Sequence, residues 1–163
     1  MAEGTDFSSP KVQYDLSKGS HTARINTCAI GSLISDEQKD FPVVQGALPL
    51  QNTSLHIVFD HPVLTSFIEC DPSLTIGDLI QALHMHFHHR LGSRETSNVG
   101  QDMNLYTAAV VNQHKRCQAL LDPDMEWKKG MKRIDVLGKD CKFRGVALDA
   151  ATSTLTLHVV LGR

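Results

Sequence analysis

No two of the four cysteines, Cys28, Cys70, Cys117 and Cys141, form a C-x-x-C pair, so zinc-ribbon and thioredoxin-like spacings are excluded and free thiols are expected. No apolar run approaches the roughly 18 residues that begin to suggest a membrane span. The N-terminal residues 1–10 carry no basic region followed by an apolar stretch. The chain therefore reads as cytoplasmic, with no membrane partner. An excess of one charge is missing too: 16 Lys+Arg against 18 Asp+Glu leave a net charge of -2, without the field that draws a protein onto a phosphate backbone. Aromatic residues are few, at 6%, and the basic stretch Lys128, Lys129, Lys132 and Arg133 has only Trp127 beside it, too little stacking for a single-strand binder. Nucleic acid is not an expected partner. G-x-x-x-x-G-K-[ST], G-x-G-x-x-G and G-x-S-x-G are all absent, which leaves nucleotide-binding and serine-hydrolase templates without a foothold.

What is present suffices for a packed core. Hydrophobic residues make up 41% and charged residues 21% of 163, an ordinary globular composition at an ordinary domain length. Residues 1–10 are small and polar and read as a disordered tail, and 11–163 as one α+β domain. Val12 to Leu16 alternates as a short edge strand, after which residues 17–50 show no sustained period. Residues 53–59 alternate again, with Leu55, Ile57 and Phe59 on one side and Ser54, His56 and Val58 on the other. Asp60-His61-Pro62 supplies a turn, and 65–70 a second strand pairing as a hairpin.

Thr75 and Asp78 form a capping-box pattern ahead of a stripe of Ile76, Leu79, Ile80, Leu83, Phe87 and Leu91, which predicts a helix stopping near Gly92. A second helix is predicted over about 101–121, ended by Asp122-Pro123-Asp124. Three strand-like runs follow, at 132–137, 143–148 and 154–161, the last two as a terminal hairpin. The order strands, helices, strands predicts a largely antiparallel sheet with two amphipathic helices packed on one face.

Gly130-Met131-Lys132-Arg133-Ile134-Asp135-Val136-Leu137-Gly138, followed by Phe143-Arg144-Gly145-Val146, resembles the C-terminal signature of a family of uncharacterised domains of mushroom-forming fungi, G-x-K-R-[VI]-D-x-L-x-G and then F-x-G. Tyr14-Asp15-Leu16, Leu74 to Leu79 and Arg116-Cys117 extend the resemblance over nearly the whole chain. A Pro-rich stretch of the family is reduced here to Gly46-Ala47-Leu48-Pro49. The resemblance implies a shared fold and a fungal origin, and brings no mechanism.

The conspicuous local feature is His84-Met85-His86-Phe87-His88-His89. His84 and His88 stand one helical turn apart, a spacing that suits a divalent metal although no third ligand is evident. They compete with a plainer reading as the border of the apolar stripe. If the strands are neighbours, alternation brings Arg133, Asp135, His56 and His158 toward one polar sheet face, either as a solvated surface or as the floor of a site with a histidine base. Asp135 has a scaffold alternative, accepting hydrogen bonds from Arg116 or from backbone in the preceding turn. Asp122, Asp124 and Glu126 cluster without the spacing of a calcium loop and read as solvated charge. No complete catalytic template emerges. The leading expectation is a non-enzymatic domain binding a protein or small-molecule ligand, with a small histidine-dependent lyase, cyclase or isomerase as the alternative. No cofactor is expected, apart from a divalent metal at His84 and His88.

Overall fold

The computed structural model describes residues 12–26, 31–33, 39–40, 55–64, 68–70, 73–149 and 155–162. The expected tail at 1–10, Cys28, Gly46 to Pro49, Ser54 and the 150–154 turn lie outside these residues, as does much of the 17–50 segment.

Among the described residues, seven strands form one sheet in the order β3-β2-β1-β6-β7-β4-β5. They are β1 (Val12–Asp15), β2 (Arg24–Asn26), β3 (Gly31–Leu33), β4 (Leu55–Phe59), β5 (Ile68–Cys70), β6 (Lys142–Asp149) and β7 (Leu155–Gly162). The sheet is antiparallel except at β4 and β7, which run parallel with Leu55 opposite Leu155 and Phe59 opposite Val159. The expected hairpins form: β4 pairs with β5, and β6 with β7, whose register slips between Phe143 and Gly145. β1 is not an edge, because β2 and β6 flank it.

Alternation along β4 turns Leu55, Ile57 and Phe59 inward and leaves His56 and Val58 on the half-covered face. The inward face meets α1 (Ile76–His88), whose buried stripe is Leu79, Ile80, Leu83 and Phe87. The Phe87 ring packs on Phe59 at 5.0 Å between centroids. The capping box closes as expected: Asp78 N donates to Thr75 Oγ1 at 3.1 Å and Thr75 N to Asp78 Oδ2 at 3.1 Å.

Two further expectations are corrected. The second helix is two, α2 (Ser93–Gln101) and α3 (Met103–Gln118), divided at Asp102, whose carboxylate accepts from Asn104 N and Leu105 N and so caps α3. The 132–137 run is not a strand but the helix α5 (Arg133–Leu137), which follows the short α4 (Pro123–Lys128). α5 packs against both α1 and α3, and α3 also against α2 and α4. Ile134, Asp135, Val136 and Leu137 are all buried, so this turn of helix is wrapped by neighbours on every side and shows no polar stripe. The α+β class stands. Among the described residues, no helix is long and apolar enough to cross a membrane.

Candidate functional site

The most polar part of the interior lies where α3, α4 and α5 meet. Asp135, only 2% exposed, receives two parallel bonds from Arg116, Nε to Oδ1 at 2.8 Å and Nη2 to Oδ2 at 2.9 Å. The Lys132 backbone amide donates to the same Oδ2 at 2.9 Å, which caps α5. The third face of the guanidinium is also engaged, with Arg116 Nη1 donating to Glu126 Oε1 at 2.6 Å. Lys132 Nζ joins that oxygen, and Lys129 Nζ approaches Oε2 at 2.9 Å. Hydrogen bonds from Lys132 and Lys129 hold the Glu126 carboxyl down at about 2. A second pair, Arg133 with Glu95 at 2.8 Å, fastens α5 to α2, and Arg133 Nη1 donates to the His86 carbonyl at the end of α1.

The stretch 130–138 is thus a knot that pins α5 into the helical layer. Gly130 and Gly138 bracket it, both with positive φ, of 84° and 56°. A Cβ on Gly138 would come within 2.8 Å of Asn112 Nδ2, the atom that donates to the Asp135 carbonyl. Gly138→Ala should therefore destabilise the domain by about 1–3 kcal/mol. Gly100→Ala, at a helical position with open space around it, should stabilise by up to about 1 kcal/mol. Urea unfolding of the two variants beside the parent measures the contrast.

Asp135 accepts from Arg116 and from the backbone of the preceding turn. Arg133 and Asp135 consequently sit in the helical layer and do not join His56 and His158. Those two histidines do share the outer sheet face on neighbouring strands, His56 beside Thr156 and His158 beside Val58. His56 also lies opposite Glu69 of β5, and His158 is exposed.

His84 and His88 stack at 4.2 Å between ring centroids. Tyr14 Oη donates its single proton to the Lys18 carbonyl at 3.0 Å, so at 2.9 Å it accepts from His84 Nδ1–H. His88 Nε2–H donates to the Leu16 carbonyl at 2.9 Å. The pair therefore clamps the chain leaving β1. Burial holds both imidazoles below the ordinary histidine range, and at His88 the charges of Lys132 and Arg116 add to the effect. Among the described residues, no group of three or more His, Cys, Asp or Glu side chains is placed to hold a metal ion.

Beside the knot opens a cleft of about 610 Å³, within the usual range of ligand sites. His88, Asn112, Lys115, Arg116, Leu120 and Lys132 are among its walls. An apolar ridge stands next to it where α3 turns into α4: Leu120, Met125 and Trp127 are exposed, and Leu121 is fully so. Glu126 and the ridge are what the sequence reading missed. Glu126 is buried and triply paired rather than solvated, while Asp122 caps α4 by accepting from Met125 N. The signal available was Leu120-Leu121, two large apolar residues immediately before a helix-ending Asp-Pro.

The DUF6699 profile, described as a family of unknown function, matches residues 12–154. No curated protein and no solved structure matches the chain significantly.

Proposed function

We propose that this chain, which belongs to that family of unknown function, is an interaction domain that receives a segment of another polypeptide on its helical side, at the cleft and the ridge between α3 and α4. The observation that carries this reading is that Leu120, Leu121, Met125 and Trp127, close together in the sequence, are all left exposed, and that Leu120 also lines a cleft large enough to take side chains. Monomeric surfaces scatter single apolar residues, whereas a contiguous exposed group rimmed by charge is the usual mark of a docking surface. Leucine and tryptophan there would act as anchors, with the polar rim excluding water.

The histidine-dependent enzyme is less well supported. It asks for Arg133 and Asp135 beside His56 and His158, and the first two are spent on Glu95 and Arg116 within the helical layer. A metal at His84 and His88 asks for ligands beyond two rings that each already give one nitrogen to Tyr14 or to backbone.

Panning a random peptide library against the domain tests the reading. Peptides enriched on the parent should lose binding to Leu121→Asp and keep it on His56→Ala and His158→Ala. Absence of enrichment over an unrelated folded control, or enrichment indifferent to Leu121→Asp, overturns it.

A further inference from the structure

We infer that the segment received at this site is acidic, a peptide that sets a carboxylate side chain against the cations of the cleft and an adjacent apolar side chain on Leu120 and Leu121; this rests on the interaction reading above. The charge of the site runs against that of the chain. Overall the molecule carries a net charge of -2, yet the cleft walls bring together Lys115, Arg116 and Lys132 against Glu126 and Asp135. Counting Lys129, which reaches Glu126 from outside, four cations face two carboxylates.

Those two carboxylates have little left to offer a cationic ligand. Both Asp135 oxygens are occupied by Arg116, one of them also by the Lys132 amide. Both Glu126 oxygens are occupied as well, by Arg116 and Lys132 on one and Lys129 on the other. Lysine differs: each ammonium has three donors and turns freely on its stem. Lys132 and Lys129 can donate to a further oxygen without leaving Glu126, and Lys115, exposed on the cleft wall, makes no ion pair among the described residues. A carboxylate entering the cleft therefore gains partners without breaking the knot, whereas an ammonium entering it would meet, among the cleft's lining residues, only cations and the two satisfied acids.

The surplus is small, one or two charges, which suits single carboxylates and not a polyanion. Asp122 and Asp124, exposed at the start of α4, would repel a phosphate backbone lying along the ridge. Leu120 belongs to both cleft and ridge, so the acidic and apolar groups of the partner must be near neighbours in its sequence.

Three synthetic peptides of equal length test this on the full chain by fluorescence anisotropy: one alternating leucine-rich turns with Glu and Asp, one with those acids replaced by Gln and Asn, and one with Lys in their place. The acidic peptide should bind at least tenfold more tightly than the neutral one and the Lys peptide not at all. Its affinity should fall with added salt, fall about tenfold on Lys115→Glu and be lost on Leu121→Asp, while the neutral peptide should not respond to Lys115→Glu. Equal or tighter binding of the neutral or Lys peptide, still dependent on Leu121, overturns the acidic partner and leaves the interaction reading intact. Indifference of all three to Leu121→Asp removes both. A dimer in sedimentation that Leu121→Asp dissociates makes a second copy of this chain the occupant and overturns the inference.

Discussion

Asp135→Ala should destabilise the domain by about 3–5 kcal/mol, the range for breaking a buried ion pair from one side. The cost lies less in the attraction lost than in what remains. Arg116 would keep its bond to Glu126 and a long one from Nη2 to the Gly130 carbonyl at 3.5 Å but leave Nε facing the space the carboxylate vacated, and the Lys132 amide at the start of α5 would lose its cap. Since α5 packs on α1 and α3 alike, loosening it separates the layer on the sheet from the helices behind it. In a domain of this size the loss corresponds to a Tm drop of roughly 10 °C or more. Asp122→Ala, which removes only an exposed cap on α4, should cost about 1 kcal/mol and serves as the comparison. The double variant Arg116→Leu with Asp135→Leu should lose clearly less than the sum of the two singles, because the pair leaves together. Strict additivity, or an Asp135→Ala cost no larger than that of Asp122→Ala, would remove Asp135 from the centre of the knot.

How much of this was legible in the sequence follows from the range of the forces involved. The alternation over 55–59 and the stripe from Ile76 to Phe87 are each set by a single boundary between core and water, so the local period reports them faithfully. Thr75 and Asp78 cap a helix start through contacts three residues apart, which are also visible locally. At 132–137 that logic inverts. Ile134 and Val136 alternate with charged residues as in a strand, but Arg133 and Asp135 are bound by Glu95 and Arg116, partners 38 and 19 residues away, so the charges face inward and the alternation does not report a wet side. α2 escaped notice for the opposite reason: Ser93 to Gln101 buries only Glu95 and Val99 and so has almost no apolar stripe. The cleft is assembled from α1, α3, α4 and α5 together and has no counterpart in any short segment.

Lowering the pH from 7 to 4 should cost the domain stability well before its carboxylates titrate. His86 lies against Phe59, its ring 5.1 Å from the phenyl centroid, with Arg133, Glu95 and His89 as its charged neighbours. Burial first, and then the Arg133 charge, hold it down at about 4. His84, His88 and His61 are lowered in the same direction, burial being the largest cause for each. A histidine with a depressed folded value stays neutral in the native state while the unfolded chain takes up its proton near pH 6.5. Stability is therefore fully present above about pH 6.5 and drains away as the pH falls toward about 4. The His86 part alone is on the order of 2 kcal/mol once its partly exposed edge is discounted, and the other three add to it. Glu126 then takes over with the same outcome: its pairs contribute above the ordinary carboxylate range and are lost as the pH falls from about 4.5 toward about 2. Urea midpoints measured at closely spaced pH values should trace this two-stage decline. His86→Leu should make the upper stage shallower, leaving the part carried by the other three histidines, and leave the lower stage in place. A midpoint that holds level down to pH 5 would show that the buried histidines do not govern the acid response, and a His86→Leu profile parallel to that of the parent would remove His86 from it.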